Sequence, residues 1–212
     1  MGWISAWRGA PAVDERRWVV LDVEASGLDA AHDRLLAIAS VAVRVDWGAR
    51  ALVVDLGDSF EAVLRQEQPS SRDNILLHGI GVARQSGGLP MAQGLQAFAS
   101  HAGHSPLLAF HVAFDRTLVQ RHAQASLGRA LSQPWVDIEH LCGVTHPEVP
   151  ARSLDEWMAH FGIRCAARHQ AAADALAECE LLLRVWPRVA AECRCWRDVQ
   201  RLAQRRRWIA RG

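Results

Sequence analysis

The chain has 212 residues, enough for one domain with a buried core and a short appendage. Half of them are hydrophobic and 22% are charged, which excludes global disorder. A net charge of only +1 excludes a strong overall field toward nucleic acid or membrane, so affinity for a polyanion would rest on local patches.

Residues 1–16 read as an N-terminal extension without a charged start followed by a long apolar core, so no signal peptide is expected. Trp18 to Val23 is a short apolar run closed by the turn signal Ser26-Gly27, and reads as a first strand. Leu35 to Val45, rich in Ile and Val, reads as a second strand, and Ala51 to Leu56, after the Gly48 turn, as a third. Met91 to His101 has helical spacing. Pro106 to Phe110 is a fourth strand, Phe114 to Ala125 a helix, and Trp135 to Ile138 a fifth strand. Ser153 reads as the N-cap of another helix, and Gln170 to Trp186 as a long helix stopped by Pro187. Three strands followed by strands alternating with helices predict an α/β domain over 17–186. Its mixed sheet would be a meander extended by helical crossovers. Residues 187–212 read as a basic, helical C-terminal tail. Five cysteines with no C-x-x-C pair point to a reducing, cytoplasmic compartment, and no apolar run approaches the roughly 20 residues that span a bilayer.

Asp22 and Glu24 lie two apart on the first strand, so both side chains leave one face. Two anions there repel unless a cation or proton intervenes, although a solvated strand end would also tolerate them. Asp115 sits where an apolar strand passes into a helix, a place that the helix dipole alone would favour. Asp174 shares a helical stripe with Ala177, Leu181 and Val185, so it faces packed protein and needs a partner. His169, five positions earlier, joins the same site if it lies in the loop before that helix. Four carboxylates from two strand ends and a late helix converge at one end of the sheet, and hard oxygen donors of that kind suit Mg²⁺ or Mn²⁺. Their repulsion in a cation-free fold predicts that Asp174→Asn is at least as stable as the wild-type chain.

At these residues the sequence resembles the DEDDh 3′–5′ exonucleases, the family of the epsilon subunit of DNA polymerase III and of ribonuclease T. The resemblance is carried by Leu21-Asp-Val-Glu-Ala-Ser-Gly-Leu28 with Asp33-Arg-Leu-Leu-Ala-Ile38, by Ala109-Phe-His-Val-Ala-Phe-Asp115, and by His169-Gln-Ala-Ala-Ala-Asp174. Lesser matches are His78-Gly-Ile80, Asp137 and Ser153-Leu-Asp155. Departures are Ala25 for the usual threonine, Phe110-His111 for His-Asn, and Ala39 for glycine.

The resemblance implies a ribonuclease H-like sheet in the order 3-2-1-4-5, with strand 2 antiparallel and helices on its faces. It also implies two Mg²⁺ or Mn²⁺ ions, one on Asp22, Glu24 and Asp174, the other on Asp22 and, through water, Asp115. His169 would be the general base. Val23, Ala25, Leu28, His78, His111 and Phe114 would bind substrate. The expected reaction is hydrolysis at single-stranded 3′ ends of nucleic acid, DNA favoured over RNA, with release of nucleoside 5′-monophosphates. The alternative is a catalytically silent nucleic-acid-binding or interaction module of the same fold.

All 24 basic residues are arginine, which with nine tryptophans and no tyrosine reads as GC-rich coding. Arg194, Arg197, Arg201 and Arg205 recur at helical spacing opposite Val199, Leu202 and Ala203. That stripe fits a solvated helix face, a track for substrate phosphates, or a docking segment for a protein partner or a second copy.

Overall fold

The computed structural model describes residues 12–209, with side chains through 206. The first eleven residues of the expected N-terminal extension therefore lie outside the described residues. Five strands, β1 (Arg17–Ala25), β2 (Leu35–Asp46), β3 (Ala51–Val63), β4 (Leu107–Ala109) and β5 (Trp135–Asp137), form one sheet in the order β3-β2-β1-β4-β5. β2 is antiparallel to β1 and β3, while β4 is parallel to β1 and β5. This is the ribonuclease H-like arrangement that the sequence leads one to expect.

Helices cover both faces. α3 (Met91–Ala102) and α4 (Ala113–Leu127) lie on one, where Val19, Leu21 and Val23 of β1 meet Leu95, Phe98, Leu118 and Val119. α5 (Ile138–Thr145), α6 (Leu154–Phe161), α7 (Ala171–Glu192) and α8 (Trp196–Ile209) lie on the other, where Trp18 and Val20 meet Trp157, Leu181, Val185 and Trp186. The alternation along β1 thus assigns even-numbered positions to the α7 face. Asp22 and Glu24 inherit that side.

Two short helices, α1 (Arg72–His78) and α2 (Val82–Ser86), join β3 to α3. α1 buries none of its residues, so it has no apolar stripe for sequence periodicity to detect. β3 runs to Val63 rather than ending at Leu56. Its polar half is held by ion pairs: Asp58 accepts from Arg17 Nε at 2.7 Å and from Arg44, and a bulge at Val41/Ala42 absorbs the change of register.

Pro187 does not stop the long helix, contrary to expectation: α7 continues through it to Glu192. An interior proline costs a helix about 3 kcal/mol. The residues around it explain why the helix persists, since Val185, Trp186, Val189, Ala190 and Cys193 are all buried in the same core. α8 then turns back, and Trp196, Val199, Leu202 and Ala203 complete that core beside α5. The apolar side of the C-terminal segment is therefore covered by its own chain. Of the arginine stripe, Arg194 donates to the Ala190 and Cys193 carbonyls, Arg201 faces Asp198 at 3.7 Å, and Arg205 pairs with Glu192 at 2.6 Å. Arg197 is exposed and makes no ion pair among the described residues.

Candidate active site

Three carboxylates close one end of the sheet. Ligand atoms of Asp22, Glu24 and Asp174 all lie within 4.8 Å of one another. β1 contributes the first two on one face, and across the antiparallel pair they sit opposite Ala39 and Ala37, whose small side chains leave room above the strand. A bulge between Glu24 and Ala25 ends the regular pairing there. Asp174 comes from the first turn of α7. Glu24 and Asp174 are buried, whereas Asp22 is partly open to the cleft.

Asp115, from the first turn of α4, lies beside this trio but outside its 4.8 Å envelope. The neighbouring amides of Val23 and of Asp115 itself favour its charged form, against the effect of burial. The turn from β4 into α4 is held by two buried acids. Glu178 Oε2 accepts from the Phe110 amide at 3.1 Å, and Asp137 accepts from the amides of His111 and Val112, each at 3.1 Å. His111 adopts φ +56°, and its exposed ring packs on Phe110. Asp137 also caps α5 through the Glu139 amide, so it belongs to the frame rather than to the cleft surface.

Glu178 is the one buried acid of the cleft that sequence reasoning missed. Its signal is simple in retrospect: four residues after Asp174, it stands one turn along the same stripe.

His169 lies in the loop before α7, at φ +62°, as its five-residue separation from Asp174 requires. Its amide donates to Asp174 Oδ2 at 2.9 Å, and its side chain is exposed at the mouth of the cleft. Two basic side chains meet the trio directly: His78 pairs with Glu24, and Arg168 with Asp174 Oδ1. His78, expected on the substrate side, is thus engaged with a carboxylate. Its ring stands edge-on to that of His169 at 6.3 Å.

The electrostatics follow from this crowding. Burial, followed by repulsion from Asp115, Glu24 and Asp174, holds the Asp22 carboxyl well above the ordinary range. Burial pushes Asp115 up to about 8. Burial also raises Glu24, partly opposed by its hydrogen bond with His78. For His78, burial is the largest influence and lowers the affinity for a proton, but the hydrogen bond and charge of Glu24, the His169 carbonyl and the charge of Asp174 together outweigh it, and the net direction is upward. The donor set fits a hard divalent cation: all oxygens, anionic, convergent, and including Glu24 Oε1, a buried atom with no hydrogen-bond partner among the described residues.

A cleft of about 440 Å³ opens over these groups, lined also by Val23, Leu28, Phe110, His111, Phe114, Ser153 and Leu154. A more apolar groove of about 560 Å³ adjoins it, sharing Val23, Leu28, His78 and Phe114 and adding Ala25 and Leu77. Leu28 is 95% exposed on the rim between them. Its loop is pinned by Asp33, which accepts from Ser26 Oγ at 2.7 Å and from the Asp29 amide at 2.8 Å. A Cβ on Gly27 would come within 2.5 Å of that carboxylate, which explains the glycine.

The family model RNase_T, described as exonuclease, matches residues 19–182. Among curated proteins, the chain is 28% identical over 191 residues to a DNA polymerase III PolC-type of Oceanobacillus iheyensis, covering 90% of this chain and 12% of that one. It is 28% identical over 182 residues to a DNA polymerase III subunit epsilon-like protein of Rhodobacter capsulatus, covering 84% and 25%. The chain thus spans a quarter or less of these relatives. Solved structures of exonuclease I share its fold. One has a TM-score of 0.66 and 15% identity over 84% of this chain and 44% of that one. The Escherichia coli enzyme in complex with a dT13 oligonucleotide has a TM-score of 0.65 and 17% identity, covering 82% and 42%. With the three motifs in order and the matching sheet, the chain belongs to the RNase_T exonuclease family, in its DEDDh branch.

Proposed function

We propose that the protein is a divalent-cation-dependent 3′–5′ exonuclease that shortens single-stranded ends of nucleic acid, DNA in preference to RNA, releasing nucleoside 5′-monophosphates. The observation that carries this reading is the convergence of Asp22, Glu24 and Asp174 within 4.8 Å in an open cleft, with His169 at its mouth. The preference for single-stranded DNA draws support from the exonuclease I relatives, whose structures hold dT13 and dA16 oligonucleotides.

Asp22, Glu24 and Asp174 would hold one cation, and Asp22 with Asp115 a second. Bound there, such ions polarise the phosphodiester and neutralise charge on the departing 3′ oxygen. His169 accepts the proton of the attacking water, a role open to it because its side chain projects from the loop while its amide is anchored on Asp174. The Asp137 and Glu178 carboxylates keep the β4–α4 turn, and hence Asp115, in place. Leu28 and Phe114, between the two grooves, offer apolar surface to the terminal base. The five cysteines are free thiols, in keeping with a cytoplasmic protein.

The test is release of mononucleotides from end-labelled oligonucleotides in Mg²⁺ or Mn²⁺, on matched single- and double-stranded DNA and RNA. Label retained in every arm would favour a silent binding module instead.

A further inference from the structure

Arg168 joins two acids, one of them in the carboxylate trio. Its Nε donates to Asp155 Oδ1 at 2.6 Å on the rim of the cleft, while the far side of the same guanidinium pairs with Asp174 Oδ1. Asp155 is well exposed and sits on α6, whose first turn is fixed by a capping box between Ser153 and Glu156. Ser153 and Leu154, at the start of the same helix, line the cleft. Asp174 is buried, and both of its oxygens already accept hydrogen bonds. Oδ2 takes the His169 amide, and Oδ1 takes Arg168 and, at 3.4 Å, the Cys165 thiol. A divalent cation that bonds to Oδ1 competes there with Arg168, and at either oxygen it meets the repulsion of the adjacent guanidinium.

We propose that Arg168 is a phosphate-binding residue of the cleft, paired with Asp174 in the cation-free protein and turned onto a phosphate of the nucleic-acid strand once a cation takes Asp174. The anchor on Asp155 makes this economical. The Nε contact keeps the planar head at the rim, so only its inner edge exchanges a carboxylate oxygen for a phosphate oxygen, a geometry that suits guanidinium. The exchange also couples the two ligands. A cation frees the donor that the strand needs, and the strand removes the donor that opposes the cation. This inference rests on the cation site proposed above, and its test keeps the two apart.

Titration of Mn²⁺ by calorimetry, without nucleic acid, should show Arg168→Gln binding the ion roughly tenfold more tightly than wild type, because the competing cation is gone. In Ca²⁺, binding of a fluorescent single-stranded dT oligonucleotide should weaken roughly tenfold in the same variant, with its salt slope reduced by about 0.7. A purely structural Arg168 would move neither quantity in these directions. Asp155→Asn, at an exposed position, should weaken the oligonucleotide alone, and it serves if Arg168→Gln does not fold. Wild-type protein that binds no Mn²⁺, or binds it equally after Asp22→Asn, overturns the cation site itself. Normal wild-type binding, with Arg168→Gln unchanged in either measurement or Asp155→Asn unchanged toward the oligonucleotide, overturns the role of Arg168.

Discussion

Trp18 and Val20 open β1 beneath the last turns of α7, whereas Asp22 and Glu24, on the same face, lie beneath its first turns. At the first end four indoles meet: Trp18 stands 5.6 Å from Trp186, 5.0 Å from Trp196 and 5.9 Å from Trp47. At the other, three carboxylates meet within 4.8 Å. One strand paired with one helix therefore provides both a dry, stabilising end and a crowded, anionic end. Burial of Trp18 and its neighbours offsets the cost of holding like charges together, and the rigid connection between the ends fixes the geometry of the acids.

The contrast breaks most sharply in activity. Asp22→Ala, Glu24→Ala, Asp115→Ala and Asp174→Ala should each reduce cleavage by about 10³-fold or more, at least ~4 kcal/mol of transition-state stabilisation, while melting cooperatively. Near-normal rates in any two would remove the acids from catalysis. His169→Gln should slow turnover by about 10²–10⁴-fold and lose the limb of the pH–rate profile that a titrating base supplies, with Mn²⁺ affinity retained. An identical profile in the variant would exclude the base role.

At the dry end the expected loss is in folding. Trp18→Ala should cost about 3–5 kcal/mol in denaturant melts, and a loss under about 1 kcal/mol would mean that the cluster is not a cornerstone.

Smaller effects separate the acids from one another. Charge repulsion alone predicts that Asp174→Asn is harmless to the cation-free protein, but its carboxylate accepts from Arg168, the His169 amide and Cys165. The expectation therefore reverses. With chelator present, Asp174→Asn should destabilise by about 1–3 kcal/mol. Asp22→Asn, whose carboxylate is raised by burial and by three acidic neighbours, should stabilise. Matching signs in the two melts would contradict this division.

The mildest signature is in pH. Asp22 and Asp115 hold a proton more tightly folded than in the unfolded chain, where an aspartate titrates near about pH 4. The stability they contribute is complete below that pH and is lost as pH rises toward about 8. Chelated protein should thus melt at falling temperature between about pH 5 and 8, with Mg²⁺ restoring most at the upper end. A flat profile would mean that the acids are not held together.

Much of this was legible in the residues. Apolar runs gave five strands, the family resemblance gave their order in the sheet, and the D-x-E pair, Asp115, His169 and Asp174 are gathered at one cleft. What escaped notice has physical causes. α1 has no buried side and so no period, and α5 begins at Ile138, inside a run that reads as strand, because Asp137 caps it. Pro187 is overridden by the burial of Trp186 and Val189 on either side. The ion pairs of Arg168 and His78 escaped because they depend on a loop and a short helix whose approach to the acids no local pattern encodes.

The tryptophan cluster also makes the molecule its own optical instrument. With no tyrosine in the chain, indoles dominate its near-ultraviolet absorption, and four of them lie close enough for their transitions to couple into a paired circular-dichroism band. Trp186 is twelve positions along α7 from Asp174, roughly 18 Å of helix. Loading the cleft with cation or oligonucleotide should leave that band unaltered, whereas loosening α8, which carries Trp196, should weaken it by removing the shortest of the pairings.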